Sequence, residues 1–196
     1  SFMFAKKIFV LIFFILLINI FCVNILLAGD GVTTDRFVYG ARPIGLANAF
    51  TAMDGDISGI SYNPAGIATI SKNIFSAYYA NPYQFNWFKQ YNIAVAVPMG
   101  FGVSALSYAA NDIEYDYSGF ANKNKLNWLE SSLVYTLGIK VNPLSIIGFN
   151  VNYNKVKSNI SGGSATGFAF DIDYLSKITN DFSIGVAVKN LYNRKK

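Results

Sequence analysis

Residues 144–157 read LSIIGFNVNYNKVK, and their side chains alternate between apolar and polar. One parity holds Ile147, Phe149, Val151 and Tyr153, and the other holds Gly148, Asn150, Asn152 and Asn154. A two-residue period is typical of a β-strand whose two faces meet different surroundings. The stretch therefore predicts a strand with one apolar side and one water-facing side.

The same alternation recurs from residue 72 to the end of the chain, with Val134 as an exception. It predicts seven strands, near residues 72–81, 89–98, 100–110, 128–141, 144–157, 164–175 and 182–190. Strands of globular proteins favour about 5 or 6 residues, whereas transmembrane strands need about 9 to 11. Most of the predicted strands have the greater length, so we expect an all-β membrane protein with antiparallel strands.

The connections between the strands are short and long in turn. The compact set is 98–100, 142–143 and 176–181, and the alternate set, which is longer as a whole, is 82–88, 111–127 and 158–163, although the last member of each set has six residues. Short turns on one side and long loops on the other are typical of an outer-membrane β-barrel. Aromatic residues stand near the long connections, at Tyr83, Phe85, Trp87, Phe88 and Trp128, and suit the headgroup zone of a bilayer. A secreted β-sandwich, with its apolar faces forming a core, is the competing architecture.

The composition excludes several classes of function. Only 14% of the 196 residues are charged, against about 25% in soluble domains. The formal charge of +5 comes from scattered lysines, which does not favour nucleic-acid binding. No histidine is present, so catalytic triads built on imidazole are excluded. We predict a protein that is not an enzyme and holds no cofactor or metal.

The first 28 residues have the order of a secretory signal peptide. Lys6 and Lys7 precede an apolar run from Ile8 to Ile18, and Ala28 supplies the small residue before the expected cleavage point. An uncleaved membrane anchor is the alternative, because residues 8–27 are long enough to cross a bilayer. Acylation at Cys22 is a third interpretation, although the bulky Phe21 before it suits that processing poorly.

Residues 29–71 differ in character from the strands that follow. Pro43 suits the first turn of a short helix, and Asp54-Gly55-Asp56 suits a turn followed by a helix cap. Neither aspartate has a partner base or nucleophile, so turn formation is favoured over acid–base catalysis. The abundant glycine and alanine allow close backbone packing. We predict a compact segment with short helices that plugs a barrel.

The motifs of this segment resemble those of a known group. They are Gly40-Ala41-Arg42, the run 47–50 (ANAF), the acidic turn, and above all the run 63–68 (NPAGIA). Together they resemble outer-membrane proteins related to the long-chain fatty-acid transporter FadL, and more closely the PorV/PorQ-type proteins and similar uncharacterised spirochaete families. The resemblance covers residues 38–70, and the strands agree only in pattern.

The resemblance implies a barrel of about fourteen strands with an amino-terminal hatch in its lumen. Seven strands are half of that number, so we expect a truncated gene product or a fragment; a small complete barrel is the alternative. The expected hatch or ligand-gating residues are Gly40, Arg42, Gly45, Asn48, Asp54, Asn63, Pro64, Ala65 and Gly66. The expected polar residues of the lumen are Lys140, Asn150, Asn152, Asp171, Asp173 and Lys189.

The functional expectation is passage of hydrophobic small molecules through a hatch-plugged barrel in the outer membrane, with outer-membrane lipid around it. Asp171 and Asp173 would set pore selectivity, pair with a hatch residue such as Arg42, or simply face water. One alternative is a PorV-like docking or shuttle protein for secreted partners, with the loops 82–88 and 111–127 as contact surface. Another is a secreted sandwich, an adhesin or carbohydrate-binding module that uses Tyr115, Tyr117 and Phe120 as a stacking platform. We expect Asp112, Glu114 and Asp116 to lie in a solvated loop and not to bind a divalent cation.

Overall fold

The computed structural model describes residues 40–84, 86–115, 124–159, 163–179, 181–191 and 193–195. All of them belong to the unit Val32–Lys196. The predicted signal peptide, with Cys22 and Ala28, lies outside the described residues, as do Phe85, Asp116, Tyr117 and Phe120 and the side chains of Tyr83 and Tyr115.

Seven antiparallel strands of 6 to 19 residues form one sheet in chain order, each paired with the next. They are β1 (Ile74–Ala80), β2 (Phe88–Val97), β3 (Phe101–Tyr115), β4 (Asn124–Asn142), β5 (Ser145–Ser158), β6 (Gly163–Lys177) and β7 (Ser183–Val188). A short β8 (Asn193–Lys195) pairs with β6 beyond the end of β7. The predicted all-β class and its seven strands are confirmed.

The β3–β4 hairpin is longer than its sequence pattern predicts. The expected loop 111–127 is in part strand, because β3 continues to Tyr115 and β4 begins at Asn124. A register shift between Ala110 and Ile113 accompanies the extension, and Asp112 there has a positive φ of 56°. Such a bulge changes the side-chain parity, which explains why simple alternation ends the strand too early.

Three short helices precede the sheet: α1 (Ala41–Gly45), α2 (Gly59–Tyr62) and a 3₁₀ helix over Pro64–Thr69. Pro43 lies in α1 as expected, where its missing N–H leaves no intrahelical bond unmade. A further 3₁₀ turn, Pro82–Gln84, joins β1 to β2. We call residues 40–70 the hatch.

The two faces of the sheet differ in what covers them. The hatch packs against the face that carries the polar and glycine residues, here named the hatch face. The opposite face, here named the apolar face, carries exposed side chains such as Phe75, Ile93 and Phe168. Among the described residues no second sheet covers it. Burial is therefore greatest where the sequence is polar.

Candidate functional site: the hatch and its seat

Four glycines in the strands form the seat on which the hatch lies. They are Gly102 in β3, Gly138 in β4, Gly148 in β5 and Gly185 in β7. A Cβ atom on Gly138 would stand 2.9 Å from the Pro64 carbonyl oxygen, and one on Gly148 would overlap the Ala65 backbone. Since any side chain at these points would collide with the hatch, glycine is needed for close approach.

These glycines are functional candidates that the sequence reading passed over. Gly138 and Gly148 are direct partners across β4 and β5. Each has the parity of the buried polar residues in its strand. The sequence feature that could have identified them is glycine at the polar positions of the alternation in several neighbouring strands. It indicates a contact surface for another backbone.

Asn63 holds the hatch to itself and to the sheet. Its Oδ1 accepts a hydrogen bond from the Ala65 N–H at 3.0 Å, which caps the 3₁₀ helix. Its Nδ2 donates to the Thr51 carbonyl at 2.7 Å and to the Tyr174 carbonyl of β6 at 3.1 Å. The side chain is fully buried. Asn63 thus connects two parts of the hatch with a strand 111 residues further along.

Apolar contacts seal the hatch around these polar bonds. Ile60, Ile67 and Ile70 pack with Ala94, Ala96 and Val134 of the sheet. Ala65 and Ala68 pack with Ile146 and Leu175 in a second cluster. Val134 breaks the alternation of its strand because it lies under the hatch, where an apolar side chain is required. Pro64 and Gly66 are buried in the same region.

Buried polar side chains form a ladder across β4, β5 and β6. Thr136 donates to the Asn150 Oδ1 at 2.7 Å, and Asn150 and Asn152 each donate to the Asp171 Oδ2, at 3.0 and 3.1 Å. The Lys189 ammonium lies 3.5 Å from Asp171 and 3.2 Å from the carboxylate of Asp173. The backbone N–H of Asn190 also donates to Asp171. The charge of Asp171 is thereby compensated inside the fold.

The ladder corrects the expectation that these residues face water. Asn150 is 3% exposed and Asp171 is 5% exposed, and Asn152 and Asp173 are equally buried. Asn150 also donates to the Ile60 carbonyl of the hatch at 2.8 Å. Of the expected lumen residues, only Lys140 is exposed, near the end of β4, and Lys189 is half-buried. The polar side chains of the strands therefore lie under the hatch and do not line an open channel.

Arg42 pairs within the hatch and not with the sheet. Its guanidinium lies 2.7 Å from the Asp56 carboxylate and also stands over the Phe50 ring. The suggested pairing of Arg42 with Asp171 or Asp173 is therefore wrong. Arg42 lies beside a carboxylate in its own segment, whereas Lys189, directly after β7, reaches the two aspartates of β6.

Asp56 forms a turn and an ion pair rather than a helix cap. Its Oδ1 accepts from the Ser58 N–H at 2.8 Å, while the N-cap of α2 is Ser58, whose side chain makes no capping bond. Burial raises the pKa of the Asp56 carboxyl, but the bonds from Ser58 and Arg42 outweigh it and hold the pKa below its usual value. Asp56 is therefore ionised at neutral pH.

The other expected hatch residues have unequal roles. Asp54 forms an ion pair with Lys177 at the end of β6, a further link between hatch and sheet. Asn48 has a positive φ of 67° and accepts a long hydrogen bond from the Tyr62 hydroxyl. Gly40 has a φ of 97°, where a side chain would be strained. A Cβ atom on Gly45 would meet nothing within 4 Å, so Gly45 has no packing role.

Two of the aromatic residues predicted for the headgroup zone turn inward instead. Phe88 is buried with Leu106 and Tyr108 on the hatch face, and Trp128 packs against the same cluster. Glu130 is buried beside Trp128, whose indole N–H points at its carboxylate at 3.5 Å. Trp87 remains exposed. This cluster closes the hatch face at the end of the sheet nearest the long connections.

The site offers side chains for packing and hydrogen bonding. Within the described ranges, no group of three or more His, Cys, Asp or Glu residues is placed to hold a metal ion. The same part of the chain contains no helix with the length and apolar character needed to traverse a bilayer.

Comparison of the chain with protein-family models, with curated protein sequences and with solved structures finds no match. The resemblance of the hatch motifs to the FadL and PorV/PorQ groups therefore stays a prediction.

Proposed function

We propose that this chain is a non-enzymatic outer-membrane β-barrel protein that passes hydrophobic small molecules, with the hatch as its gate. The single observation that carries the proposal is the reversed partition of the sheet. Apolar side chains are exposed and polar ones are buried, which is the opposite of a water-soluble fold.

The apolar residues of this face, most of them exposed, form continuous rows because the strands are paired in register. One row joins Val95, Val103, Tyr135, Val151 and Phe170. The row beside it joins Val97, Phe101, Leu137, Phe149 and Ile172. Soluble monomers rarely expose a contiguous apolar surface larger than a few hundred Å². Acyl chains are the surroundings that such a surface fits.

The height of the apolar face agrees with a bilayer. Residues 131–141 of β4 rise about 34 Å along the strand at about 3.4 Å per residue. At a strand tilt of about 45° this becomes about 25 Å along the membrane normal, the height of the apolar band of outer-membrane barrels. The edges β1 and β7 are not paired with each other. Since lipid does not tolerate unpaired edges, we propose that further strands complete a barrel.

The hatch supports the gating part of the proposal. Its contact with the sheet combines apolar packing with few polar links, among them Asn63 to Tyr174, Asn150 to Ile60, and Asp54 to Lys177. A segment held in this way can leave its seat without unfolding the strands. An apolar cargo would be bound mainly by desolvation, at about 25 cal/mol per Å² buried.

The membrane part is tested by extraction and by labelling. We expect the chain to stay with outer membranes after washing with carbonate or urea. A spin label at Val151→Cys, on the apolar face, should be accessible to oxygen and shielded from a water-soluble nickel complex. The matched label at Asn159→Cys, in an exposed turn, should show the reverse. Release by the wash, or a water-exposed label at Val151, contradicts the proposal and favours a secreted protein.

The transport part is tested in vesicles. A variant with a disturbed seat, Gly148→Ala, should pass a pyrene-labelled hydrocarbon faster than the wild-type chain. Gly45→Ala, which meets nothing within 4 Å, is the matched control. Three kinds of vesicle are compared: without protein, with the wild-type chain, and with the Gly148→Ala variant. If the labelled hydrocarbon passes all three at the same rate, transport is contradicted and a docking role is favoured.

A further inference from the structure

A groove of about 460 Å³ crosses the middle strands of the apolar face. Its floor is formed by small side chains, Ala105 and Ser107 on β3 and Ser131 on β4. Larger residues stand on both sides, with Tyr91 and Ile93 on β2 and Tyr153 on β5. The groove exists because these three small residues lie side by side between larger ones.

The groove changes from apolar to polar along the strands. At its apolar end Ile93, Ala105, Leu133 and Tyr153 are partners in one row. In the next row towards the long connections, Ser107, Ser131, Lys155 and Thr166 are partners. Lys155 therefore closes the groove at the border of the apolar band. Its ammonium and three hydroxyls share that border.

A second cavity, of about 420 Å³, lies one row further out. Lys157, Leu129 and Ser164 line it, and these three are partners in the row next to that of Lys155. Lys155 and Lys157 are on the same face of β5, two residues apart. Residues separated by two positions in a strand stand about 7 Å apart. The two ammonium groups are thus placed to meet one anionic group.

These two lysines have no compensating charge in the part of the chain that the structure describes. No described carboxylate forms an ion pair with either of them. Glu130 pairs with Val156, the residue between the two lysines, but the Glu130 side chain is buried on the other face. Lys125, in contrast, has a partner, Asp112, at 3.2 Å. Cations beside an apolar surface attract an anion from their surroundings.

We propose that this site binds one anionic phospholipid, with a net negative headgroup, of the surrounding bilayer. Its phosphate lies between Lys155 and Lys157, and one acyl chain lies in the groove over Ala105. The proposal rests on the membrane location proposed above. It adds a fixed lipid on the outside of the wall, distinct from any cargo that passes the hatch.

The site occurs at one border of the apolar band and not at the other. At the end of the sheet nearest the short turns, the last row of the apolar face joins Ser145, Ser176 and Ile184, which are uncharged. The bound lipid therefore belongs to the leaflet nearest the long connections. Tyr91 and Tyr153 beside the groove suit the same interface.

The test uses the full chain, purified in a non-ionic detergent, with native mass spectrometry to count retained lipids. Dioleoyl-phosphatidylglycerol and dioleoyl-phosphatidylcholine, which share acyl chains, are the probes. We expect one phosphatidylglycerol per chain, retained in preference to phosphatidylcholine by about tenfold or more, since each nearby lysine attracts an anionic headgroup. The double variant Lys155→Gln/Lys157→Gln should lose this preference. Lys72→Gln, an exposed lysine before β1, should keep it.

A second pair of variants tests the groove while leaving the lysines in place. Ala105→Phe fills the floor and should reduce lipid retention, whereas Val103→Phe, on the same face of β3 but outside the groove, should not. Equal retention of the two lipids by the wild type, or an unchanged preference in the double variant, overturns the proposal. A chain that stays in washed membranes but does not discriminate lipids refutes this site only. A chain that washes off refutes the proposed function.

Discussion

Gly148 of β5 lies directly beneath the backbone of Ala65, closer than a Cβ atom on Gly148 would allow. Real Cβ atoms essentially never approach other heavy atoms within 3.0 Å, and this one would lie well inside that limit. Ala65 is fully buried between the 3₁₀ helix and the sheet. The hatch can thus pack against the sheet only because Gly148 has no side chain.

Gly148→Ala should destabilise the seated hatch. The added methyl group meets backbone atoms of Pro64 and Ala65, which cannot move aside as a flexible side chain would. Overpacking of this kind costs about 1–3 kcal/mol. Limited proteolysis within residues 40–70 should become faster in the variant, while the strands keep their circular dichroism.

The control for this change is Gly45→Ala. Gly45 ends α1 and faces open space, so the added methyl group should be neutral or slightly stabilising. Equal protease sensitivity of the two variants would contradict the seat as described.

Asn63→Ala should loosen the hatch more than any other single change to a polar residue there. It removes the cap on Ala65 and leaves the carbonyls of Thr51 and Tyr174 without this donor. Loss of a cap and of two buried bonds costs about 2–4 kcal/mol in unfolding free energy.

Asn63→Asp separates the cap from the two donor bonds. The aspartate keeps the acceptor for Ala65 but places a buried carboxylate against two carbonyl oxygens. We expect it to be no more stable than Asn63→Ala in urea unfolding. A near-wild-type midpoint for Asn63→Asp would show that only the cap matters.

Acid should weaken the hatch through Asp56. The pKa of its carboxyl is lower in the fold than in the unfolded chain, so its contribution is complete above the unfolded value of about 3.9. That contribution is lost as the pH falls through the lower, folded pKa. Because Arg42 is more than half exposed, the effect is below about 1 kcal/mol.

Hydrogen exchange of the hatch amides, corrected for the intrinsic rate, measures this effect. Protection should fall between pH 5 and pH 2 in the wild type. Asp56→Asn, which keeps an acceptor for Ser58 but not the ion pair, should show a smaller fall. An identical fall in both proteins would assign the pH dependence to other groups.

Val151→Lys tests the surroundings of the apolar face. In lipid, a lysine near the middle of the band costs about 2–4 kcal/mol, falling to about 0–1 at the border. Ser176→Lys, in the border row nearest the short turns and without a charged partner, is the matched variant. Urea unfolding from vesicles should rank Val151→Lys well below Ser176→Lys. In a water-exposed sheet both changes would be nearly neutral.

The strands were predictable from the sequence because one physical property, the two-residue period, repeats along each of them. Ile147, Phe149 and Val151 alternate with Gly148 and Asn150, and no tertiary information is needed to place them on opposite faces. The hairpin end at Tyr115 was missed because a bulge near Asp112 shifts the parity.

The buried state of the polar face was not predictable from the same pattern. Alternation shows that the two faces of the sheet differ but not which face is covered. An asparagine such as Asn150 fits the pattern equally well in water and under the hatch. Arg42 pairs with a residue 14 positions further along, and Lys189 pairs with one 16 positions back, so both pairs depend on how the chain folds back on itself. The role of Asn63 as a cap follows from its position before Pro64, whereas its bond to Tyr174 does not.

The bond from Asn63 to Tyr174 also has a consequence for assembly. Ribosomal synthesis and any amino-terminal-first export deliver the hatch before β6, and 111 residues separate the two ends of this contact. Contacts of such long sequence separation form late, because the loop between them must first be closed. The hatch is thus synthesised first but can bind the sheet only after the strands have paired. Until then a chaperone would have to shield the isoleucines of the hatch.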